Sequence, residues 1–552
     1  MDTIGLAEAR RWLASAVLVL VLVVAAGCGG GSDTDAGDDD GVITINWSSE
    51  PPSLDPGLAT DTTSSNVLLN IMDPLVKLEG ENLTPTPSLA ESWTVNGTTV
   101  TFKLRSDGRW TTGDPVTAQD FEYSWKRTIS PDLAADYAYQ FSGIVGADEY
   151  NACKQNCDAM REQVGVTAVD NRTLRVELET PQPWFVQQVA HHSFLAVHPP
   201  TVEQFGERWT EAANIVTNGP FRLERWQHNS RLDLVKWDEW RNAQSVALTR
   251  VNGRMITEGT TAVQAFEAGE IDETGSLGGL PPSEMPRLKD MEEYEQTPSL
   301  GTYYYGINVD NVPDVNQRRA MALAIDRQAI IDNVAQADQL PASGFTPSGM
   351  PGFETINPAS EFLPAAGDIE QAKQLMEQVQ DPVTSVNLVI NDAPGHREIA
   401  VAVQSMWAEL GIDTEIQQQE WAQFLEALGP PPTKSTDAYR LGWIGDYVDA
   451  MNFLELWTCE SGNNNSNFCS EEYDALVEQA RRTPNNAERY QLYAQLEEML
   501  FGPEGAMPIV PIYFYTNVSL QRQSIKDTFN QNLLDQFDLS KVVEGGDAAE
   551  DA

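Results

Sequence analysis

Five histidines, two close pairs of cysteines and 82 carboxylates are the residues of this 552-residue chain that could carry chemistry. His191, His192 and His198 stand near enough in sequence to meet around a metal. They flank an apolar run, Phe194-Leu195-Ala196-Val197, a setting that favours ordinary structural roles. No H-E-x-x-H joins any of them, and neither Cys153/Cys157 nor Cys459/Cys469 has the C-x2-C spacing of a zinc site. A hydrolase needs a nucleophile beside its activating partner. There is no G-x-S-x-G elbow, and no lysine has Ser three places before it, so S-x-x-K is missing too. Walker A and G-x-G-x-x-G phosphate cradles are absent. Carboxylates abound, but nothing in the sequence selects two of them as an acid/base pair. The chain therefore does not read as an enzyme, and no cofactor and no metal are expected.

The first residues read as an address. Arg10 and Arg11 precede an apolar run from Trp12 to Ala26, followed by Gly27 and Cys28. The run is shorter than the roughly 20 residues that span a bilayer, so it reads as an export signal (residues 1–28). The small residues ending in Cys28 resemble a bacterial lipobox, which would make Cys28 the lipidated mature N-terminus, with Ala25 a mild departure from that pattern. Residues 29–40 (GGGSDTDAGDDD) are a flexible acidic tether. Export favours oxidation of the remaining thiols as two local disulfides, Cys153–Cys157 and Cys459–Cys469.

With 82 Asp plus Glu against 35 Lys plus Arg, the net charge is −47, which repels nucleic acid and anionic membrane surfaces. A membrane is then reached only through the lipid. Apolar residues at 41% and 14 Trp suffice for a large core, and the length argues for two or three lobes. Alternating patterns predict strands over 42–47, 98–104, 173–178, 232–236, 303–309 and 386–390. Helical periodicity predicts helices over 118–129, with Thr117 as N-cap, and over 316–335, 369–379, 399–410, 473–482 and 487–501. Strands and helices interleaved in this way indicate an α/β protein.

Several blocks, in order, resemble family 5 extracellular solute-binding proteins of ABC importers, and among them the oligopeptide-binding proteins. They include Leu89-Ala90-Glu91-Ser92-Trp93, Gly113-Asp114-Pro115-Val116-Thr117, Asn218-Gly219-Pro220-Phe221, Gly269-Glu270-Ile271-Asp272, Tyr303-Tyr304-Tyr305-Gly306-Ile307-Asn308 and Gly442-Trp443-Ile444-Gly445-Asp446-Tyr447. The resemblance implies a periplasmic-binding-protein type II, Venus-flytrap fold with an extra third domain. Domain I would comprise 41–72, 199–300 and 517–539, domain II 73–198 and domain III 301–516. An acidic tail, 540–552, would follow. The implied protein is a lipid-anchored monomer on the outer face of the bacterial cell membrane that passes oligopeptides to a permease. Other ligands of the family (a dipeptide, nickel chelate, opine or oligosaccharide) and a non-transport scaffold or signalling role stay open.

The resemblance also implies a site. Asp446 would hold the ligand's ammonium. Thr60-Asp61-Thr62 and, with Trp443 between them, Arg440, Gly442 and Ile444 would pair with its backbone. Tyr137 would contact it from domain II, while Trp421, His396, Tyr304 and Tyr515 would line side-chain pockets. Arg440 could also meet a peptide carboxylate. Gly301 and Ile444 stand where some relatives carry a disulfide pair, and residues 428–432 are longer and richer in proline than in the family.

Overall fold

The computed structural model describes residues 41–80, 83–275, 280–357, 362–428 and 436–545. The export signal, Cys28, the tether, most of the proline-rich stretch and the last residues of the tail lie outside them. Among the described residues no helix is long and apolar enough to cross a membrane.

Four sheets form among the described residues, the smallest a two-stranded ribbon of Val76–Glu79 and Thr84–Pro87. The first strand, Val42–Asn46, alternates inward Ile43 and Ile45 and pairs in parallel with Arg250–Arg254. Arg231–Lys236 and Phe221–Gln227 complete that sheet in antiparallel fashion. Its apolar face packs Trp47, Phe221, Leu234 and Val251 into one core. A second sheet is wholly antiparallel, in the order Ala90–Asn96, Thr99–Leu104, Thr173–Glu177, Val166–Asp170. The helix Ala118–Ile129 lies against it, started by a capping box between Thr117 and Asp120. Phe121 and Trp125 from this helix bury against Phe102, Phe141 and Phe194.

The third sheet has six strands, in the order Leu340–Pro341, Ile509–Leu520, Tyr294–Ile307, Ala438–Ile444, Ser385–Asn391, Asp413–Gln419. Two of these are long. Tyr294–Ile307 and Ile509–Leu520 run antiparallel from Tyr294 opposite Leu520 to Gly306 opposite Ile509, with an irregularity between Pro298 and Thr302. One end of the pair, Val518 and Leu520, packs with Val263 and Phe266. The other, from Tyr303 and Ile512, enters the largest core with Leu388 and Trp407. The two strands thus connect two separate cores.

The helix predicted over 316–335 is interrupted. Val315–Leu323 ends, and Asp326 caps a new start by accepting from Ala329 N–H at 2.8 Å. The buried Arg327 guanidinium then donates to the carbonyls of Ala322, Ile325 and Pro511, taking up acceptors that a broken helix leaves over. Disulfides join Cys153 to Cys157 and Cys459 to Cys469.

Candidate functional site

The strand Ala438–Ile444 is half-covered. On one side it pairs with Tyr294–Ile307 along its whole length. On the other, its ladder with Ser385–Asn391 stops at Tyr439. Residues 440–444 therefore turn an edge without that partner toward a cavity of about 200 Å³ lined by Arg440, Gly442 and Ile444. The same cavity is lined by Asp61, Thr62 and Thr63 at the start of the helix Thr62–Ile71. Asp61 is extended (φ −131°, ψ 160°) and its carboxylate caps that helix, accepting from Ser64 N–H at 3.0 Å. Burial raises the Asp61 carboxyl to about 6, against the pull of Ser64 and Trp421.

Arg440 is a buried cation without an acid partner among the described residues. Its guanidinium lies 4.3 Å from the Tyr303 ring centroid and donates to Asn391 Oδ1 and to the Tyr515 hydroxyl. Among the described residues its Nε has no hydrogen-bond partner and no carboxylate comes within ion-pair distance. His396 opens the helix His396–Ala408, beside Tyr303. Burial, then Arg440, holds its ring well below the usual imidazole range. Trp421 and Tyr515 complete this wall.

Just past the strand, Asp446 is 6% exposed and carries four donors. Oδ2 accepts from Gln140 Nε2 at 2.5 Å and from Asn452 Nδ2 at 2.7 Å. Oδ1 meets His191 Nε2 at 3.0 Å and the Tyr137 hydroxyl at 3.4 Å. Asn452 Oδ1 in turn accepts from Asp446 N–H and Trp443 Nε1, which locks the turn. The Tyr137 ring stacks 6.1 Å from Trp443 and 5.1 Å from His191. Its phenol is pushed well up by burial, then by Asp446, Tyr139 and Asp61, so it stays a hydroxyl.

Of the residues the sequence proposed, Asp61, Thr62, Trp421, His396, Arg440, Gly442, Ile444 and Tyr515 are brought together on the cavity wall. Asp446, Tyr137 and Trp443 form the buried cluster beside it, and Thr60 is not on the wall. Tyr304 does not line the cavity. Alternation along its strand turns it to the opposite face from Tyr303 and Tyr305, and its ring packs on Phe345 and Trp457 in the core. The three histidines first weighed as a metal trio go separate ways. His191 reaches Asp446, His192 Nε2 faces the Ala59 carbonyl at 2.9 Å, and His198 meets Thr201 at 2.7 Å. Gln140, His191 and Asn452 had not been proposed as site residues. Only the nearness of Asn452 to Asp446, and of Gln140 to Tyr137, could have suggested two of them.

A model of the bacterial extracellular solute-binding proteins, family 5, matches residues 84–465. The oligopeptide-binding protein OppA of Bacillus subtilis is 34% identical over 502 residues, covering 88% of this chain and 89% of that one. Among solved structures, Haemophilus influenzae OppA in complex with RPPGFSPFR superposes with a TM-score of 0.84 at 29% identity, over 92% of this chain and 100% of that one. The Escherichia coli murein tripeptide binding protein MppA gives 0.83 at 31% identity, over 92% and 99%. The unliganded open form of MppA gives 0.62 at 30% identity, over 92% and 98%.

Proposed function

The chain belongs to the bacterial extracellular solute-binding proteins of family 5, and from that premise we propose that it captures oligopeptides and delivers them to an ABC importer permease. The observation that carries this reading is the polarity of the site. A buried carboxylate, Asp446, sits beyond one end of an open strand edge, and a buried guanidinium, Arg440, with no acid partner among the described residues, sits within it. A zwitterionic peptide has the complementary pattern, and an extended one can pair with the edge between them without regard to its side chains. Its ammonium would enter at Asp446 where the longest contact, Tyr137 at 3.4 Å, gives way. The phenol oxygen would then accept from the ammonium instead. Arg440 would take a carboxylate of the ligand.

In this reading 41–72, 199–300 and 517–539 form domain I, 73–198 domain II and 301–516 domain III. The two long strands that connect separate cores would be the hinge. The better superposition on the peptide complex than on the open form supports a closed arrangement. Export through the leading segment, a lipid on Cys28, a tether of 29–40 and a monomer on the outer face of the cell membrane complete the proposal. The chain would act by binding and closure, with no catalytic step.

Calorimetry with tri- to penta-alanine tests it. The wild type should bind, and Asp446→Asn, which keeps the shape and loses the charge, should weaken binding by about 100-fold, as removal of a charged partner does. Equal affinity in the variant would sink the assignment.

A further inference from the structure

His191 and His192 are adjacent in sequence, both buried, and reach two different segments, at Asp446 and at Ala59. His191 Nδ1 faces the Ser193 hydroxyl at 2.9 Å, and Nε2 carries a proton because its partner is a carboxylate oxygen. Nε2 is the atom 3.0 Å from Asp446 Oδ1. His192 Nε2 faces the carbonyl of Ala59, which can only accept, so this ring also donates through Nε2. Ala59 immediately precedes Thr60-Asp61-Thr62. The two rings lie 4.0 Å apart, and Tyr137 packs on both, at 5.1 and 5.6 Å. One dipeptide therefore ties the site's carboxylate to the segment that leads into Asp61 and Thr62 on the cavity wall.

The same carboxylate has its acceptor capacity filled. A carboxylate offers about four lone-pair positions, and Asp446 receives His191, Gln140, Asn452 and Tyr137. Gln140 is itself held, since Gln188 Nε2 donates to its carbonyl at 2.7 Å and to its Oε1 at 3.2 Å. Three donors are short and supported. Tyr137, the fourth, is long and can rotate its hydroxyl.

We propose that His191-His192 is a positioning clip that fixes Asp446 relative to residues 59–62, and that His191 with Gln140 leaves Tyr137 as the single exchangeable donor. A ligand's primary ammonium, which brings three N–H groups and needs an acceptor in return, fits the place of that hydroxyl. An acylated amino terminus does not. This inference rests on the reading of the site as a peptide receptor and names the residues that make it select a free amino end.

The test is calorimetry on the full chain with tri- to penta-alanine and their N-acetyl forms, for wild type, His191→Ala, His191→Gln, Asp446→Asn and His191→Ala/Asp446→Asn. His191→Ala should lose about tenfold affinity for the free-amine peptides, equivalent to about 1.4 kcal/mol. It should leave N-acetyl binding unchanged, and His191→Gln, which keeps a donor, should recover part of the loss. In the Asp446→Asn background the histidine change should add nothing, because the two act as one unit. Equal losses for both peptide classes, or losses that add, would overturn the inference and reduce His191 to packing. Should His191→Ala fail to fold, His191→Gln and Gln140→Met carry the same cycle with Asp446→Asn. A wild type that binds no peptide would instead bring down the receptor reading itself.

Discussion

Gly301 and Ile444 face each other across the antiparallel ladder between Tyr294–Ile307 and Ala438–Ile444, and the Ile444 side chain fills the place a Cβ on Gly301 would take. Some family members are expected to carry a disulfide at this pair of positions. Here a bare backbone and one aliphatic side chain achieve the close approach instead. Ile444 also lines the cavity. The next residue donates its N–H to the Leu300 carbonyl at 2.8 Å, so this pairing sets where Asp446 begins.

Gly301→Ala should therefore disturb site and fold together. The added methyl meets Ile444, the Trp443 carbonyl and the Tyr515 ring, and overpacking of this kind costs about 1–3 kcal/mol. A lowered thermal midpoint with weakened peptide binding is expected. Unchanged binding would mean the ladder does not position the site.

Arg440→Met keeps bulk over the Tyr303 ring and removes the charge. Affinity for peptides with a free carboxylate should fall by about 10- to 100-fold, the range for losing a hydrogen bond to a charged group. C-amidated peptides should be nearly indifferent. Calorimetry with both forms decides it, and an equal loss for amides would show that Arg440 acts through packing.

Glu273 supplies the pH dependence. Burial, with Asp535 adding repulsion, raises its carboxyl from 4.5 to about 8. Between those values the folded chain keeps a proton that the unfolded chain has lost, so stability falls as pH rises. The contribution is fully present below about pH 4.5 and gone above about pH 8. Glu273→Gln should raise the melting temperature by about 2 °C or more at pH 8.5 and change it little at pH 4. Parallel curves for variant and wild type across that window would contradict the assignment.

The Cys459–Cys469 bridge closes a loop that bears on the site. Gly462 packs on the backbone of Asp136, and Asn463 Nδ2 donates to the Tyr139 hydroxyl at 3.4 Å, next to Tyr137 and Gln140. Replacing both cysteines by Ser should cost about 2–4 kcal/mol of stability and weaken ligand binding severalfold. The same change at Cys153 and Cys157 should leave binding unchanged. Differential scanning fluorimetry and calorimetry on the two double variants separate the cases.

What could be read in advance follows the range of the interactions. The helix Ala118–Ile129 falls where predicted because its capping box and apolar face are local. The helix expected over 316–335 breaks because Asp326 and Arg327 satisfy a new start better than continued periodicity does. The strand expected over 303–309 begins nine residues earlier. Glu295, Gln296 and Thr297 carry no strand alternation, and pairing with Ile509–Leu520, distant in sequence, recruits them. The strand Ala438–Ile444 was not predicted as such, yet its residues were singled out by resemblance to the family. Asp446 stands in a recognisable block, and Arg440 lies two residues before it. His191 and Gln140 reach Asp446 from the other side of more than 250 residues; nearness to Tyr137 is the one local sign of Gln140, and His191 has none.

The most direct test of the central claim is native mass spectrometry of the chain from Gly41 onward, as purified from its host. A ladder of adducts matching short peptides, lost on Asp446→Asn, is the predicted result. A protein without such adducts that also ignores an added mixture of tri- to penta-peptides, or one that carries a single non-peptide mass, would contradict it.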